Sequence, residues 1–383
     1  MKTVIFQPAE VKQAAKLIQA GQLVAFPTET VYGLGADATN EEAVKQVYLA
    51  KGRPSDNPLI VHVSSLAMVE HFAAEIPAKA KQLMDRFWPG SLTIILRVKP
   101  GTLSKTVTGG LDTVAFRFPD CQPTLDLIGQ AGVPIVGPSA NTSGKPSPTT
   151  ANHVYHDLNN KIAGIIDNGP TRVGVESTVL DMSTSQPVIL RPGAVTKQDI
   201  EGVIGSIDIN HHQVKQDEVP KAPGMKYKHY APNAQVYIVD PADDWGEVAA
   251  VIAQSKEQVG LMATDQVLHA HVWSVQADQF SLGTGVQEAS AHLFEGLRDF
   301  DNQEEIHQIF CQGFEPTGLG AAYMNRLNKS AGGLTSGICS INNACKPDHP
   351  KMVRLLRTFI KLTFQFKRNY RTIWVRKRKE QLS

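Results

Sequence analysis

Cysteine is scarce in this chain. Four of 383 residues are cysteine (Cys121, Cys311, Cys339 and Cys345), and no two form a C-x-x-C pair. That argues against a disulfide-built scaffold and a zinc-finger-like site, and it fits a reducing compartment. Long apolar runs are missing: nothing approaches the roughly 18 consecutive apolar residues of a membrane-spanning helix. Met1 to Glu10 also lacks the apolar stretch of a signal peptide. A soluble cytoplasmic protein is therefore expected. The glycine patterns that usually cradle phosphate are absent too. No G-x-x-x-x-G-K-[ST] occurs, and no G-x-G-x-x-G fingerprint. Gly137-Pro138-Ser139-Ala140-Asn141 does not fit the G-x-S-x-G spacing of a serine hydrolase. His153 and His156 stand as H-x-x-H with no third ligand nearby, so no protein-held metal is expected.

Acidic excess is lacking only in the sum. The formal net charge is +1, yet residues 1–333 carry 26 basic and 35 acidic side chains, a net of −9. The last fifty residues hold twelve Lys and Arg against Asp348 and Glu380, a net of +10. Any electropositive site in the body must therefore be local. A length of 383 residues suggests two domains.

Helical and strand patterns alternate. Helices are expected over Val11–Ala20, Glu41–Ala50, Ala78–Phe87 and Pro123–Gln130. Strands are expected at Leu23–Phe26, Leu59–Val63, Leu92–Val98, Thr113–Phe118, Val133–Val136, Ala163–Ile166, Ser177–Asp181 and Val188–Leu190. Such mixing implies an α/β fold, a sheet covered by helices. Ile207–Lys228 lacks periodicity and reads as a linker. A second alternation follows: strands at Gln235–Val239, Gln258–Met262, His271–Val275 and Glu305–Cys311, with helices at Gly246–Ser255, Gln287–Phe300 and Leu319–Ser330. This reads as a small parallel, Rossmann-like domain; without the glycine fingerprint, dinucleotide binding does not follow.

Two loops stand out chemically. Lys51-Gly52-Arg53-Pro54-Ser55-Asp56-Asn57-Pro58-Leu59 places two cations and an amide within seven residues. Such a loop suits a polyanion, since Arg offers a planar fork of donors and Lys a point charge. Pro138-Ser139-Ala140-Asn141-Thr142-Ser143-Gly144 is a polar loop after an apolar run, suited to short hydrogen bonds with a ligand.

Four further segments accompany them: Pro27-Thr28-Glu29-Thr30-Val31-Tyr32-Gly33-Leu34-Gly35, Val114-Ala115-Phe116-Arg117-Phe118-Pro119, Glu176-Ser177-Thr178-Val179 and Leu190-Arg191-Pro192-Gly193. In this order the six resemble the YrdC-type threonylcarbamoyl-AMP synthase family over about residues 5–200. Ala222-Pro223-Gly224-Met225-Lys226-Tyr227-Lys228-His229-Tyr230-Ala231-Pro232 resembles the two-domain form, which adds a C-terminal Rossmann-like domain. The resemblance implies a YrdC-like twisted sheet over 1–206, a linker or lid over 207–233 and a smaller Rossmann-like domain over 234–333. The atypical basic tail over 334–383 departs from the family pattern, and its charge and composition predict that it packs poorly.

The resemblance also implies a reaction. L-threonine, bicarbonate or carbon dioxide, and ATP give threonylcarbamoyl-adenylate and pyrophosphate, for N6-threonylcarbamoyladenosine in tRNA. Lys51 and Arg53 would hold the triphosphate. Asn57, Thr113, Ser139, Asn141, Ser147, Arg191 and Tyr230 would complete the nucleotide site. Thr30, His62, Arg117, Ser177 and the backbone at Gly137 would hold threonine. Arg117 is the natural carboxylate partner, because an arginine among apolar strand neighbours needs an anion. Mg2+ is expected on the phosphates with few protein ligands. Other proteins would carry out transfer to tRNA, and the family resemblance leaves direct tRNA binding by this chain open. The alternative is an RNA-binding module of the same fold, which would not require the set Thr30, His62, Arg117 and Ser177. Carbamoyl transfer would normally come with the missing cysteine pairs.

Overall fold

The computed structural model describes residues 2–210, 220–222 and 230–332. The expected basic tail lies outside the described residues, as do lid residues Lys226, Tyr227, Lys228 and His229. The first sheet has eleven described strands: β1 (Val4–Phe6), β2 (Val24–Phe26), β3 (Gly33–Asp37), β4 (Ile60–His62), β5 (Leu92–Arg97), β6 (Thr113–Arg117), β7 (Ile135–Val136), β8 (Gly164–Ile166), β9 (Thr178–Asp181), β10 (Val188–Arg191) and β11 (Asp208–Ile209). Their order is β1-β8-β2-β3-β7-β4-β6-β5-β9-β10-β11, with parallel and antiparallel pairs mixed. Helices α1 (Val11–Gln19), α2 (Glu41–Lys51), α3 (Leu66–Phe72), α4 (Ala78–Phe87), α5 (Lys105–Thr108), α6 (Gln122–Ala131), α7 (Ala151–Leu158) and α8 (Lys197–Ile204) accompany it.

The sheet is covered on both faces. Val24 and Phe26 join one apolar cluster with Ile18 of α1 and Leu127 of α6, while Ala25 between them joins another with Val44 and Val47 of α2. That is the two-residue period of a strand read in three dimensions. Burial on both faces also explains why Ile94–Leu96 reads as an unbroken apolar run. Each such side chain removed from water contributes about 1.5–3 kcal/mol.

Sequence pattern predicts no element at β3, since glycines at 33 and 35 argue against a strand. Here they permit close approach: a Cβ on Gly33 would lie 2.6 Å from the Phe26 ring, and one on Gly35 would lie 2.7 Å from the Val24 carbonyl. β11 falls inside the expected linker and extends the sheet edge against β10.

The second sheet is parallel throughout, in the order β12 (Gln235–Val239), β15 (Gln308–Gln312), β13 (Val259–Ala263), β14 (Ala277–Ser281). Helices α9 (Trp245–Ala253), α10 (Asp265–Ala270), α11 (Val286–Asp301) and α12 (Leu319–Ser330) pack on it. The expected strand at His271–Val275 is corrected. Val272 and Val275 are 96% and 87% exposed in a loop, and the strand is the more polar Ala277–Ser281. As an edge strand paired only with β13, it needs no strong apolar pattern. No described helix is long and apolar enough to cross a membrane.

Candidate functional site

Strand pairing assembles the site. Parallel pairing of β4 with β6 sets His62 beside Arg117 at the strand ends. Antiparallel pairing of β4 with β7 brings Gly137, just past β7, onto the His62 ring. On the other side, β9 pairs with β10 so that Arg191 lies opposite Val179, near Ser177. The polar loop after β7 is laced to the Pro27–Gly35 segment: Leu34 N donates to Pro138 O at 2.7 Å and Ala140 N to Tyr32 O at 2.8 Å. These ends enclose a cleft of about 640 Å³, including its open mouth.

Ten of the expected site residues line this cleft: Lys51, Arg53, His62, Arg117, Gly137, Ser139, Asn141, Ser177, Arg191 and Tyr230. Thr30, Asn57, Thr113 and Ser147 do not. Thr30 is fully buried with its hydroxyl 2.9 Å from that of Thr28. Asn57 offers its carbonyl to Arg53 Nη2 at 3.1 Å. Ser147 donates to Glu176 at 2.5 Å. Thr113 begins β6, at the opposite end of the strand from Arg117.

Arg117 is not an isolated cation. Its Nη2 lies 2.7 Å from Glu29 Oε1, with both side chains buried. Glu29 also accepts from Ser91 Oγ at 3.0 Å and from Asp120 N at 3.2 Å. The guanidinium is thus ion-paired with a carboxylate from the Pro27–Gly35 segment. Arg117 Nε and His62 Nδ1 are buried with no hydrogen-bond partner among the described residues. Burial, reinforced by Arg117, pushes His62 well below its ordinary range, so its imidazole is neutral. Gly137 has a steric reason: a Cβ there would lie 2.5 Å from the His62 ring and 2.7 Å from Phe26.

Lys51 is the last residue of α2, followed by Gly52 in the left-handed conformation at φ 62°. Its ammonium donates to the carbonyls of Ser139 and Asn141, the latter at 2.6 Å. Lys51 therefore pins the polar loop. Burial, followed by the nearby Arg53, lowers its pKa well below the usual lysine range. Arg191 Nε donates to Ser177 O at 3.0 Å and Nη2 to Ser177 Oγ at 3.1 Å. Ser177 Oγ is also 2.8 Å from Thr93 Oγ1.

Sequence reading missed the carboxylates Glu29 and Glu176, although both stand in quoted motifs. Glu176 lines the cleft. Burial alone would raise its pKa; Arg326, Arg191 and the Ser147 hydroxyl outweigh that and hold it down at about 2. Arg326 comes from α12 of the second domain. It is 0% exposed and donates through Nε to Glu176 Oε2 and through Nη2 to Glu176 O, both at 2.9 Å. A second crossing contact joins Arg298 of α11 to Asp157 at 3.0 Å, and Asp157 accepts from Thr142 N of the polar loop at 2.9 Å. A signal for Arg326 existed: it shares one buried helical stripe with Tyr323, Leu327 and Ser330. Tyr230 sits at φ 64°, its ring 5.1 Å from Phe294 of α11. Burial, then Glu176, pushes its hydroxyl up to about 12.

Residues 16–193 match the family described as "Telomere recombination", and residues 195–332 match "Threonylcarbamoyl-AMP synthase, C-terminal domain". The threonylcarbamoyl-AMP synthase of Bacillus subtilis is 50% identical over 327 residues, covering 85% of this chain and 93% of that protein. That of Pyrococcus abyssi is 48% identical over 331 residues, covering 84% and 94%. The crystal structure of P. abyssi Sua5 complexed with L-threonine is similar at a TM-score of 0.80 and 44% identity, covering 87% of this chain and 98% of that one.

Proposed function

The chain belongs to the two-domain threonylcarbamoyl-AMP synthase family, and from that premise we propose that its cleft joins L-threonine, bicarbonate and ATP into threonylcarbamoyl-adenylate and pyrophosphate. The product would serve tRNA modification, with transfer left to other proteins. The observation that carries this reading is a division of the cleft. One wall holds Arg117, oriented by Glu29, beside a neutral His62; the other holds Lys51, Arg53 and the Ser139–Asn141 loop.

On the first wall, Arg117 meets the threonine carboxylate while Glu29 holds the guanidinium by an ion pair from behind. The unpartnered Arg117 Nε and His62 Nδ1 are what a bound ligand would satisfy. Ser177 and the Gly137 backbone complete that side, and Thr30 acts from behind through Thr28. Buried donors of this kind suit a small ligand better than an RNA backbone, which favours a concave basic surface.

On the second wall, Arg53 and Arg191 meet the triphosphate. An arriving polyanion would also favour the charged form of Lys51, which burial now disfavours. Ser139 and Asn141 reach the nucleotide from the loop that Lys51 pins. Asn57 works through Arg53 and Ser147 through Glu176, while Thr113 has no role in this reading. Tyr230 closes the cleft beside Glu176.

The amine and bicarbonate form a carbamate with loss of water. A carbamate oxygen then attacks the α-phosphorus, and pyrophosphate leaves. Charge neutralisation and positioning are the protein's main contributions. A divalent cation would enter with ATP as part of the substrate. The donor set fits that arrangement: among the described residues Glu176 is the one carboxylate lining the cleft, and its oxygens are engaged by Ser147 and Arg326.

Pyrophosphate release is the test, with threonine, bicarbonate and ATP omitted in turn. Each omission should abolish release. Equal turnover without threonine would sink the reading.

A further inference from the structure

We infer that Arg326, on the second domain, is a positioning residue for the cleft of the first. The inference rests on the reaction proposed above and adds a part for the second domain in it. One guanidinium holds both ends of a β-hairpin. It bonds the side chain and the carbonyl of Glu176, the residue before Ser177. It also donates through Nη1 to the carbonyl of Pro192, the residue after Arg191. Ser177 and Arg191 are in turn bonded to each other, through Arg191 Nε at 3.0 Å and Nη2 at 3.1 Å. Arg326 therefore sets the spacing of two cleft-lining residues without lining the cleft itself.

Charge makes the arrangement specific. Glu176 faces Arg326 from α12, Arg191 from β10, and Ser147 from the loop before α7, with Tyr230 and Lys329 also close. With Arg326 removed, Arg191 is the strongest remaining cation beside the Glu176 carboxylate. Arg191 would then turn from Ser177 toward Glu176, and the pair that meets both ligands would come apart. A purely adhesive role fits less well. Among the described residues, the side-chain hydrogen bond that Arg326 makes within its own domain is a long one, 3.4 Å to Asn325 Oδ1. A separate clasp, Arg298 with Asp157, already joins the domains.

The experiment uses the full chain as wild type, Arg326→Ala and Arg326→Lys. Pyrophosphate release is measured against threonine and against ATP, alongside melting curves and calorimetric titration with ATP. Arg326→Ala should raise both KM values roughly tenfold or more, with a smaller fall in kcat, and should weaken ATP binding to match. Arg326→Lys keeps the charge but not the fork, so its constants should fall between. If the alanine variant does not fold, Arg326→Lys and Arg326→Gln fill similar space and must still show raised KM. Unchanged KM, with kcat lowered only in proportion to the folded fraction, would overturn the inference. A wild type that binds ATP but releases no threonine-dependent pyrophosphate would fail the reaction reading instead. ATP binding weakened by Arg326→Ala would then still support the positioning role, and unweakened binding would refute it.

Discussion

The two domains bury charge in different ways. The first buries Glu29, Lys51, Arg117, Glu176 and Arg191 where its sheet opens onto the cleft. Among the described residues, the second buries two charged side chains, Arg298 and Arg326, and both cross into the first domain. Its own core is apolar, built from residues such as Leu293, Phe294, Leu297 and Phe300 on one side of the sheet and Val248 and Leu261 on the other. Buried charge is destabilising unless fully partnered. Its concentration on one side of the domain boundary marks where ligands act. Its placement on the other marks how the boundary is held. Val31 of the Pro27–Gly35 segment even joins the second domain's apolar cluster, and a Cβ on Gly174 would lie 2.3 Å from the α11 backbone.

Breaking the clasp should have the largest effect on stability. Arg298→Ala leaves Asp157 buried without its cation, at a cost of about 3–5 kcal/mol. Urea denaturation measures this. A loss below about 1 kcal/mol would mean that apolar contacts alone hold the domains together.

Arg117→Ala acts on the ligand side. Threonine binding should weaken by about 2–5 kcal/mol, which is roughly 30-fold to several thousand-fold, while the ATP requirement stays nearly unchanged. An equal shift for both substrates would contradict the division of the cleft into two walls.

Gly137→Ala forces a methyl group against His62, which is already packed edge-on against Phe26 at 5.2 Å. Overpacking of this kind costs about 1–3 kcal/mol. Threonine affinity should drop with it, and a crystal structure of the variant should show the ring displaced. An unmoved ring with wild-type affinity would show that the contact has slack.

Acid provides a milder probe. The Glu176 pKa is depressed to about 2, so its contribution is full above the ordinary carboxylate value near 4.5 and is lost as pH falls through 2. Between pH 6 and pH 3 the loss from this group should be on the order of 1–2 kcal/mol. Chemical denaturation across that window should show it, and Glu176→Gln should flatten the dependence.

The smallest effect belongs to the rim. Lys145 and Asp301 pair across the domains at 2.8 Å, with the lysine side chain 34% exposed. Lys145→Ala should change stability by about 0–1 kcal/mol. A larger loss would place part of the clasp at the surface.

Much of the fold was legible from periodicity. Ala78–Phe87, Gln235–Val239 and Leu319–Ser330 were read with the bounds they have in the structure. These are amphipathic helices or buried apolar strands, where local pattern and tertiary burial agree. The readings failed where one overrode the other. β3 is rich in glycine because neighbouring atoms leave no room for a Cβ, and β14 is a polar edge strand beside a more apolar loop.

The site divides along the same line. Motif order by itself placed cations in one loop, hydroxyls and amides in another, and an arginine in an apolar strand, because those residue types must face a ligand wherever the chain carries them. It also identified the family and the second domain. Only the tertiary structure decided which groups meet: Glu29 behind Arg117, Lys51 on the Ser139 and Asn141 carbonyls, and Arg326 across the boundary on Glu176. These pairs span 88, 88, 90 and 150 residues of sequence. The reason is physical. A local pattern reports whether a residue is buried, but the partner of a buried charge is set by strand order, register and domain docking.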